Sequence, residues 1–565
     1  MLIQPQYICL SDLLTKRLFR IPEYQRAYSW QRKQREDLFA DIDRIKGDET
    51  DRTHFMATMV GLRREKKRIV TDEYQVIDVV DGQQRLTTLI ILQKAISKAL
   101  DPGRSVEKKL AGEIEELLVK PDDHSLLLLQ TNHDSSHYFA DYLRKGEHPP
   151  IKNAVTLADR ALLEGIEECE AYVKGWNAGG PGKLLELAAI LKNRLTFILH
   201  EIQDEAAVYT VFEVLNSRGL PVPWVDRMKS TLMAIAFEAK SGNEVETIKE
   251  LHHIWRDIYA CIGLRQGMST EALRFAATLR SEEAPRRVLS EIDAVEELRT
   301  YCKGDAARAL ETSKWILEVA RAVDGLLKDR RRSAITKIVH ARFLAVAIHL
   351  RQLPEPQTES LLREWERVTF RIFGLCAKDS RTKVGDYVRL AWSVLRKKSP
   401  VETVAKEVHA IGDDYPIKDA VRELENTDCY QGWQEELRYF LFRYEEHLAH
   451  LNGQKYKNEQ WQRIWEDSPS SSIEHIFPQS KGVEERHRTK VFVHRLGNLV
   501  LLEPGLNSKL SNSDPQSKAA AYVGTGMFVA RDVVPHLKKW DRAAVEKRER
   551  QLIEWAQKEW GESRS

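Results

Sequence analysis

The alternation of apolar and polar positions along the chain predicts strands near its N-terminal end and helices over most of the rest. Residues 74–80, Tyr-Gln-Val-Ile-Asp-Val-Val, are rich in β-branched side chains and predict a buried strand. The apolar run 55–61 predicts the strand before it. Asp81 and Gly82 then interrupt the pattern, and the apolar run 86–92 begins a helix. The pattern therefore predicts a strand, a glycine turn and a helix in direct succession.

The middle of the chain, from about residue 243 to residue 451, has the apolar spacing that is typical of helices, with positions three and four apart. The clearest stretches are 308–327, 335–350 and 358–376. Pro354 and Pro400 interrupt this pattern and predict turns between helices. Residues 541–560 predict one more amphipathic helix, for which packing within the chain is favoured over a membrane or a partner helix. Its packed side is predicted to hold Ala544, Leu552, Trp555 and Ala556.

A third pattern follows the short serine-rich segment 468–472, which leads into Ile-Glu-His-Ile-Phe-Pro. Adjacent residues on a flat strand point to opposite faces, so a bend or a strand end is required for Glu474 and His475 to act together. Pro478 lacks a backbone donor and closes this strand. Leu-Gly-Asn-Leu at 496–499 predicts a turn into an apolar strand. Asn507 begins a helix predicted to run through Lys518 and Tyr522, which gives a β-β-α arrangement.

The composition describes a globular protein with 42% hydrophobic and 30% charged residues in 565. This length predicts two to four domains, which the patterns place at 1–240, 241–450 and 451–565. The predicted fold class is α+β and predominantly helical. No apolar run approaches the ~20 residues that span a bilayer, and the first residues lack a basic, cleavable leader. We therefore expect a cytoplasmic protein without a membrane partner.

Cysteine and charge refine this picture. The six cysteines are widely scattered without a Cys-x-x-Cys pair, which favours reduced, buried thiols over a zinc site. The net charge is only +2, so contact with a nucleic acid would depend on local basic clusters. Most such clusters are solvated surface, and the one between the two halves of the third pattern is the best candidate. The clusters lie at 63–68, 328–332, 396–398 and 481–490.

The third pattern carries the residues that a one-metal nuclease needs. Hydrolysis of a phosphodiester requires a base for water and a divalent cation that neutralises developing charge. His475 suits the base role, because an unperturbed imidazole titrates near pH ~6.5. Glu474 and Asn507 offer hard oxygen ligands, which suit Mg²⁺ or Mn²⁺ and leave positions for water and phosphate. The alternative is an ordinary Glu-His surface pair followed by a Gly-Asn turn.

The first pattern predicts a phosphate cradle. Free N–H groups and the dipole at a helix N-terminus favour an anion, and the Arg85 guanidinium can bind it with two hydrogen bonds. The sequence Asp-Gly-Gln-Gln-Arg at 81–85 is not a Walker A loop, which needs Gly-x4-Gly-Lys-Ser/Thr. The alternative is an ordinary turn and helix cap.

Taken together, these motifs resemble the GmrSD family of modification-dependent restriction enzymes. The resemblance of the N-terminal part, a ParB-like domain, rests on Tyr24-Gln25-Arg26, Asp81-Gly82-Gln83-Gln84-Arg85, Asn216-Ser217-Arg218-Gly219, Asp226 and Lys229-Ser230. It implies a domain that binds and hydrolyses a nucleoside triphosphate and senses modified DNA. The implied nucleotide-site residues are Tyr24, Gln25, Arg26, Asp81, Gly82, Gln83, Gln84 and Arg85, with Asn216, Arg218 and Gly219 on a nearby loop.

The C-terminal part resembles the HNH, or His-Me-finger, nuclease domain of the same family. The matching residues are Glu474, His475, Pro478, Leu496-Gly497-Asn498-Leu499, Asn507 and Lys518. The resemblance implies that His475 is the general base, that Glu474 and Asn507 hold the metal, and that Asn498 braces the loop carrying the histidine. A ParB-like domain, a helical connector and an HNH domain thus give the expected architecture.

The expected function is NTP-linked, divalent-metal-dependent cleavage of DNA, directed at modified foreign DNA such as that of phages. Two alternatives stay open: a nucleotide-dependent DNA-binding regulator with an idle HNH domain, and a toxin-like nuclease that cuts RNA. The sequence does not identify the nucleotide, the modification, nick or double-strand break, or the oligomeric state; a homo-oligomer is compatible with it.

Overall fold

The structure is a computed structural model that divides into two compact units. Unit 1 comprises Met1–Leu273 and Glu291–Ala320, and unit 2 comprises Arg274–Ser290 and Arg321–Ser565. The structure describes residues 5–22, 25–46, 53–122, 125–131, 136–202, 223–239, 244–265, 267–335, 337–479, 492–510 and 512–561. Several predictions therefore fall outside the described residues, namely those on Tyr24, Asn216, Arg218, Gly219 and the basic cluster 481–490. The three predicted domains stay a prediction.

Unit 1 is built on a mixed six-stranded sheet with the order β1-β6-β3-β4-β2-β5 among the described residues. Its strands are β1 (Pro5–Cys9), β2 (Arg17–Ile21), β3 (His54–Ile69), β4 (Asp72–Asp81), β5 (Leu128–Gln130) and β6 (Leu195–Ile202). β4 lies antiparallel to β3 and parallel to β2. The predicted strands at 55–61 and 74–80 are therefore confirmed as neighbours in the sheet.

The described residues of unit 1 also form helices. They are α1 (Leu10–Leu14), α2 (Arg32–Asp43), α3 (Gln83–Ala99), α4 (Ser105–Leu118), α5 (Ser136–Lys145), α6 (Leu157–Ala178), α7 (Lys183–Ala189), α8 (Trp224–Glu238), α9 (Glu244–Ile262), α10 (Met268–Arg280, continuing into unit 2), α11 (Glu291–Cys302) and α12 (Ala306–Lys328, ending in unit 2). α3 follows β4 after a single glycine and is buried around almost its whole circumference. Such a helix lies inside a core, and α3 positions the cradle at its N-terminus.

Within its described residues, unit 2 is mainly helical and has one pair of short strands, β7 (Ile473–His475) and β8 (Leu499–Leu501). Its further helices are α13 (Arg330–Ser333), α14 (Val339–Leu350), α15 (Glu355–Thr369), α16 (Val384–Arg396), α17 (Val401–Ala410), α18 (Ile417–Arg422), α19 (Gln434–Leu451), α20 (Asn458–Trp465), α21 (Pro469–Ser472), α22 (Leu506–Leu510), α23 (Ala519–Gly524), α24 (Phe528–Val533) and α25 (Arg542–Glu559). A single apolar core joins α18 and α19, both strands and α25.

The predicted α+β, predominantly helical fold class is confirmed. The helices predicted near 308–327, 335–350, 358–376 and 541–560 are all present within a few residues. On α25, Leu552, Trp555 and Ala556 are buried as predicted, and Ala544 is half-buried. The sulfur atoms are free thiols at all six positions, with Cys169, Cys302 and Cys429 buried and the other three partly exposed. Within the described ranges, no helix combines the length and apolar character that a bilayer crossing needs.

One prediction of helical structure is wrong. The helix expected from Asn507 through Tyr522 is divided into α22, a 3₁₀ turn at Pro515–Lys518 and α23. Pro515 explains the division, because proline lacks the N–H of a helical ladder and disfavours helical geometry in the residue before it. Asp514 accordingly has an extended backbone with ψ 151°. The break places Lys518 at the end of a separate turn.

Candidate functional site

The predicted nuclease residues lie on the pair of short strands in unit 2. β7 runs antiparallel to β8, and His475 at the last position of β7 lies opposite Leu499. α21 leads directly into β7, and the backbone N–H of Leu502 donates to the carbonyl of Ser472 at 2.9 Å. The strand thus ends at His475, which is the strand end that the sequence prediction required.

Asn498 holds the loop that follows His475. Its Oδ1 accepts hydrogen bonds from the backbone N–H of Phe477 at 2.8 Å and from Trp540 Nε1 at 3.0 Å. Its Nδ2 donates to the carbonyls of Phe477 at 3.0 Å and Val493 at 2.9 Å. The side chain is fully buried, and these four bonds use the complete capacity of the amide. Asn498 therefore fixes the peptide two residues beyond the predicted base.

Lys518, a residue of the matched motif without a predicted role, lies beneath β7. Its buried Nζ donates to the carbonyls of His475 at 2.7 Å and Ile476 at 3.2 Å. The same Nζ is 2.5 Å from Oε1 of Glu474. Burial raises the pKa of Glu474, whereas the charge and hydrogen bond of Lys518 act in the opposite direction. Lys518 thus links the carboxylate of Glu474 to the backbone of His475.

His475 is buried and neutral. Burial lowers its pKa to about 3, with further contributions from His494 and the positive charge of Lys518. The ring contacts two polar neighbours: His475 Nε2 lies 3.0 Å from Nδ1 of His494, and its Nδ1 lies 2.9 Å from Nε2 of Gln479. An unprotonated imidazole is the form that accepts a proton from water.

His494 is a site neighbour that the sequence prediction missed. Its ring stacks on Tyr430 with the centroids 5.3 Å apart, and Tyr430 also meets the edge of His475 at 4.6 Å. The carbonyl of His494 accepts from the backbone N–H of Cys429 at 2.9 Å. The position of His494, four residues before Asn498, could have indicated it. Tyr430 precedes the motif by too many residues for the sequence to connect the two.

Asn507 lies at the start of α22 with its amide group oriented by the backbone. Nδ2 donates to the carbonyls of Ser470, Ser471 and Ile473 at 3.0–3.2 Å. The described residues provide no donor to its Oδ1. Asn507 Oδ1 and the carboxylate of Glu474 are hard oxygen donors, and this chemistry fits Mg²⁺ or Mn²⁺ completed by water and phosphate. The described part of the chain contains no cluster of three or more His, Cys, Asp or Glu side chains suited to a metal.

The end of the chain supports this site from behind. Arg548 on α25 donates from Nη1 to the carbonyls of Gly497 at 2.9 Å and Leu499 at 2.7 Å. α25 approaches so closely that a Cβ on Gly497 would lie 2.0 Å from the carbonyl oxygen of Val545. Only glycine is compatible with this contact. Trp540, just before α25, donates a hydrogen bond to Asn498. Residues 540–559 therefore hold Gly497, Asn498 and Leu499 of the turn through hydrogen bonds.

The predicted phosphate cradle lies between β4 and α3. Gly82 joins them with φ +90°, and a Cβ there would lie 2.8 Å from Met59 Cγ. Gln25 Nε2 donates to the carbonyl of Val80 at 2.7 Å. Gln84 accepts from the N–H of Ser29 at 2.7 Å and donates to the carbonyl of Ala27 at 3.1 Å. These two glutamines fasten the segment 25–29 to the turn.

Charged side chains surround this turn. Burial raises the pKa of Asp81, while the N–H of Gly82 and the charges of Arg85 and Arg26 lower it. Burial also lowers the pKa of both arginines, which remain protonated. The Arg85 guanidinium lies 5.7 Å from the ring centre of Trp30. Gln83 is only 6% exposed, and its Oε1 has no hydrogen-bond partner among the described residues. The structure thus brings Arg26, Asp81, Gln83 and Arg85 together.

Two of the predicted basic clusters contain cations that pair with carboxylates elsewhere in the same unit. Arg64 bonds to the buried carboxylate of Asp78 at 2.7 Å, and Lys66 bonds to Glu73 at 3.0 Å. In unit 2, Arg331 bonds to buried Glu366 at 3.0 Å. Arg64 and Arg331 are therefore held by buried carboxylates and are not simply solvated, whereas Lys66 and its partner Glu73 are both exposed.

The nuclease-like strand pair and the charged cradle occur in a chain that family models assign to the restriction endonucleases. One model, the N-terminal domain of GmrSD restriction endonuclease, matches residues 10–233, and another, the C-terminal domain of GmrSD restriction endonucleases, matches residues 416–555. Together they cover more than half of the chain, which therefore belongs to the GmrSD restriction endonuclease family. A comparison with curated proteins gives no match.

Proposed function

We propose that the protein is an NTP-linked, divalent-metal-dependent HNH endonuclease that cuts modified foreign DNA in the cytoplasm. One observation carries this proposal: Glu474 and neutral His475 end a strand whose following loop is fixed by Asn498 and Lys518. The family membership supports a DNA substrate and a role in restriction. Rigid placement of base and ligand is what a nuclease of this kind requires.

In the proposed reaction, His475 takes a proton from the attacking water. A scissile phosphate beside the ring adds negative charge, which favours the imidazolium that forms. Asn498 and Lys518 keep the backbone of the base in place through the step. Glu474 and Asn507 would hold the divalent cation, which neutralises charge on the phosphate and on the leaving oxygen.

We further propose that the cradle of unit 1 binds and hydrolyses the nucleotide. Arg26 and Arg85 are placed to pair with phosphate oxygens at the N-terminus of α3, where free N–H groups favour an anion. Gln25 and Gln84 hold the segment that carries Arg26. The glycine turn lets the backbone approach the ligand closely.

The test incubates modified and unmodified phage DNA with the full chain and Mg²⁺, with and without each NTP. We expect His475→Ala to slow cleavage by about 100-fold or more, because a positioned base contributes that much, while NTP turnover is unchanged. Asp81→Ala should reduce NTP turnover. His450→Ala removes an exposed histidine of α19 and serves as the matched control.

Each result decides between the candidates. Undiminished cutting by His475→Ala would remove this residue as the base. Nucleotide-dependent DNA binding without any cleavage supports the regulator, and cleavage of RNA in preference to DNA supports the toxin-like nuclease. Unchanged NTP turnover in both Asp81→Ala and Arg85→Ala would reject the cradle.

A further inference from the structure

A cavity of about 960 Å³ lies in unit 2 against one side of α25. Most residues of α25 that line it recur at three- and four-residue spacings from Ala544 to Lys558, so they share one face of the helix. α15, α19 and the segment 532–541 provide the rest of the described lining. Ligand pockets typically have volumes of ~300–1,000 Å³, so this cavity has room for a ligand of nucleotide size.

The lining of this cavity has an excess of positive charge. Seven lysine and arginine residues line it in the described part of the chain, together with four aspartate and glutamate residues. One charge of each sign is paired outside the lining, Arg367 with Glu364 at 3.7 Å and Glu559 with Arg443, so the excess remains. A cleft with an excess of one charge raises the local concentration of ions of the opposite charge. The cavity therefore favours an anion.

Arg548 is the one buried cation among the described residues of this lining, with an exposed fraction of 6%. Its Nη1 donates to the carbonyls of Gly497 and Leu499. Its Nε and Nη2 have no hydrogen-bond partner among the described residues. Burial lowers the pKa of Arg548, whereas Tyr444 and Asp532 act in the opposite direction, and the guanidinium stays protonated. Because unmade hydrogen bonds of a buried charged group are costly, an anion in the cavity would stabilise Arg548.

The open nitrogens of Arg548 indicate which anion fits. Nε and Nη2 form the edge of a guanidinium that binds two oxygens of one oxyanion through parallel hydrogen bonds. Arg495 of the same unit uses this edge, because its Nε and Nη2 donate to the two carboxylate oxygens of Glu549 at 3.1 Å and 2.5 Å. A phosphate group fits the same edge, and a ligand with several phosphates also balances the excess charge of the lining.

We propose that this cavity binds a small anion with more than one phosphate group, and that Arg548 holds one phosphate through Nε and Nη2. Its Nη1 holds the carbonyls of Gly497 and Leu499, so one guanidinium joins the ligand to the 496–499 turn. Occupancy of the cavity therefore stabilises the turn that contains Asn498. A phosphate must enter the cavity to reach nearly buried Arg548, which favours a small ligand over the backbone of a DNA duplex. The inference concerns unit 2 alone and does not depend on the proposed nucleotide cradle.

The first test measures the binding of inorganic tripolyphosphate to the full chain by calorimetry. All variants are made in the Arg85→Ala background, so that the proposed cradle of unit 1 does not contribute. We expect Arg548→Lys to weaken binding by about tenfold or more, because lysine keeps the charge but lacks the two-nitrogen edge. Inorganic phosphate and each NTP are measured in parallel. Tighter binding of an NTP than of tripolyphosphate identifies a nucleotide as the ligand, and equal binding identifies the phosphate chain alone.

A pair of double variants tests the lining without changing Arg548. Lys547→Gln with Lys558→Gln removes two exposed cations from the cavity and should weaken tripolyphosphate binding by several-fold. Arg542→Gln with Arg550→Gln removes the same charge from exposed positions of α25 outside the lining and should leave binding unchanged. Should Arg548→Lys fail to fold, which thermal unfolding reveals, these double variants decide the question.

The second test measures the link to the turn through hydrogen exchange of the backbone amides of β8. Saturating tripolyphosphate should slow this exchange by several-fold when Arg548 is present and should have no effect in Arg548→Lys. The amides of β4 in unit 1 serve as the internal control and should exchange at the same rate with and without the ligand.

Each contrary result overturns a defined part of the inference. Equal tripolyphosphate binding in the two double variants and in Arg548→Lys would overturn the site. Citrate that binds as tightly as tripolyphosphate would overturn the choice of phosphate. A cavity that binds duplex DNA but no tripolyphosphate would overturn the small ligand. Binding without slower exchange in β8 would overturn the link to the turn. None of these measurements uses DNA cleavage, so they stand apart from the test of the proposed nuclease.

Discussion

At the scale of single residues, the polar side chains of the nuclease motif mainly bond to the backbone. Asn498, Asn507 and Lys518 together contact the carbonyls of residues on both sides of β7. Buried polar groups are costly unless they are paired, so these contacts specify one conformation of the strand end. The geometry around His475 therefore depends on residues that do not themselves react.

We predict that Asn498→Ala lowers the free energy of unfolding of unit 2 by about 3 kcal/mol, because it leaves the buried groups of Phe477, Val493 and Trp540 without partners. DNA cleavage should be lost with it. Guanidinium unfolding followed by tryptophan fluorescence measures the change. Asn452→Ala, at an exposed end of α19, should have almost no effect, and equal unfolding midpoints in the two variants would contradict the role of Asn498.

These residues differ in how far the sequence predicts them. Glu474, His475, Asn498 and Asn507 are close in sequence, so the spacing alone identifies the group. Tyr430 lies in the segment between α18 and α19, far from the motif in sequence, and no local pattern marks it. Roles such as metal binding by Asn507 stay predictions, because they depend on a ligand and not on the packing.

At the scale of elements, a buried ionic cluster joins several helices of unit 2. Glu366 on α15 accepts a hydrogen bond from Tyr439 on α19 at 2.5 Å and pairs with Arg331 at 3.0 Å and Arg443 at 3.3 Å. Burial alone would raise the pKa of Glu366, but Arg331 and Arg443 lower it to about 2. The helices are thus held by a carboxylate that must stay ionised.

The lowered pKa predicts acid sensitivity. Ionised Glu366 should contribute roughly 3 kcal/mol to the stability of unit 2 at neutral pH. A lowered folded-state pKa means that this contribution is complete above the ordinary carboxyl pKa of ~4.3 and declines as the pH falls toward 2. About 1 kcal/mol of it should be lost by pH 3.5. Guanidinium unfolding between pH 7 and 3.5 measures this decline.

The comparison with Glu366→Gln isolates the effect, because this variant should be less stable at pH 7 and should lack that part of the pH dependence. Glu355→Gln changes an exposed carboxylate of the same helix and serves as the control. A pH dependence that is identical in the wild type and in Glu366→Gln would contradict the prediction.

The sequence predicts some helices and strands well and others only in part. The strand–glycine–helix unit at 72–99 follows directly from the apolar pattern. The division of the predicted 507–522 helix follows from Pro515, which the prediction did not take into account. The ionic cluster around Glu366 was not predictable, because its members lie on three helices, α13, α15 and α19, that are separated in the sequence.

At the scale of the whole molecule, the two units are not consecutive in the chain. The chain passes between them after residues 273, 290 and 320. The segment 274–290 contributes Phe275, whose ring lies 4.9 Å from that of Phe343, and Ser281, whose carbonyl accepts from Trp392 Nε1 at 2.9 Å. A fragment that begins at residue 321 therefore lacks part of the core of unit 2.

We predict that fragment 321–565 unfolds at a lower guanidinium concentration than it does with a peptide of residues 274–290 added. The peptide restores the contacts of Phe275 and Ser281, and binding raises the stability of the folded form. The same peptide with Phe275→Ala is the control and should restore much less. A midpoint that the peptide does not change would show that unit 2 is complete from residue 321.

The contact between α25 and Gly497 of the 496–499 turn can form only late in the synthesis of the chain. A ribosome synthesises β7 and β8 first, and Trp540, Val545 and Arg548 emerge only later. Until then, the turn lacks the helix that presses on Gly497 and the indole that bonds to Asn498. The order of synthesis thus delays completion of the proposed nuclease site until residues 540–559 have left the ribosome, when the proposed phosphate cradle of unit 1 has already been made.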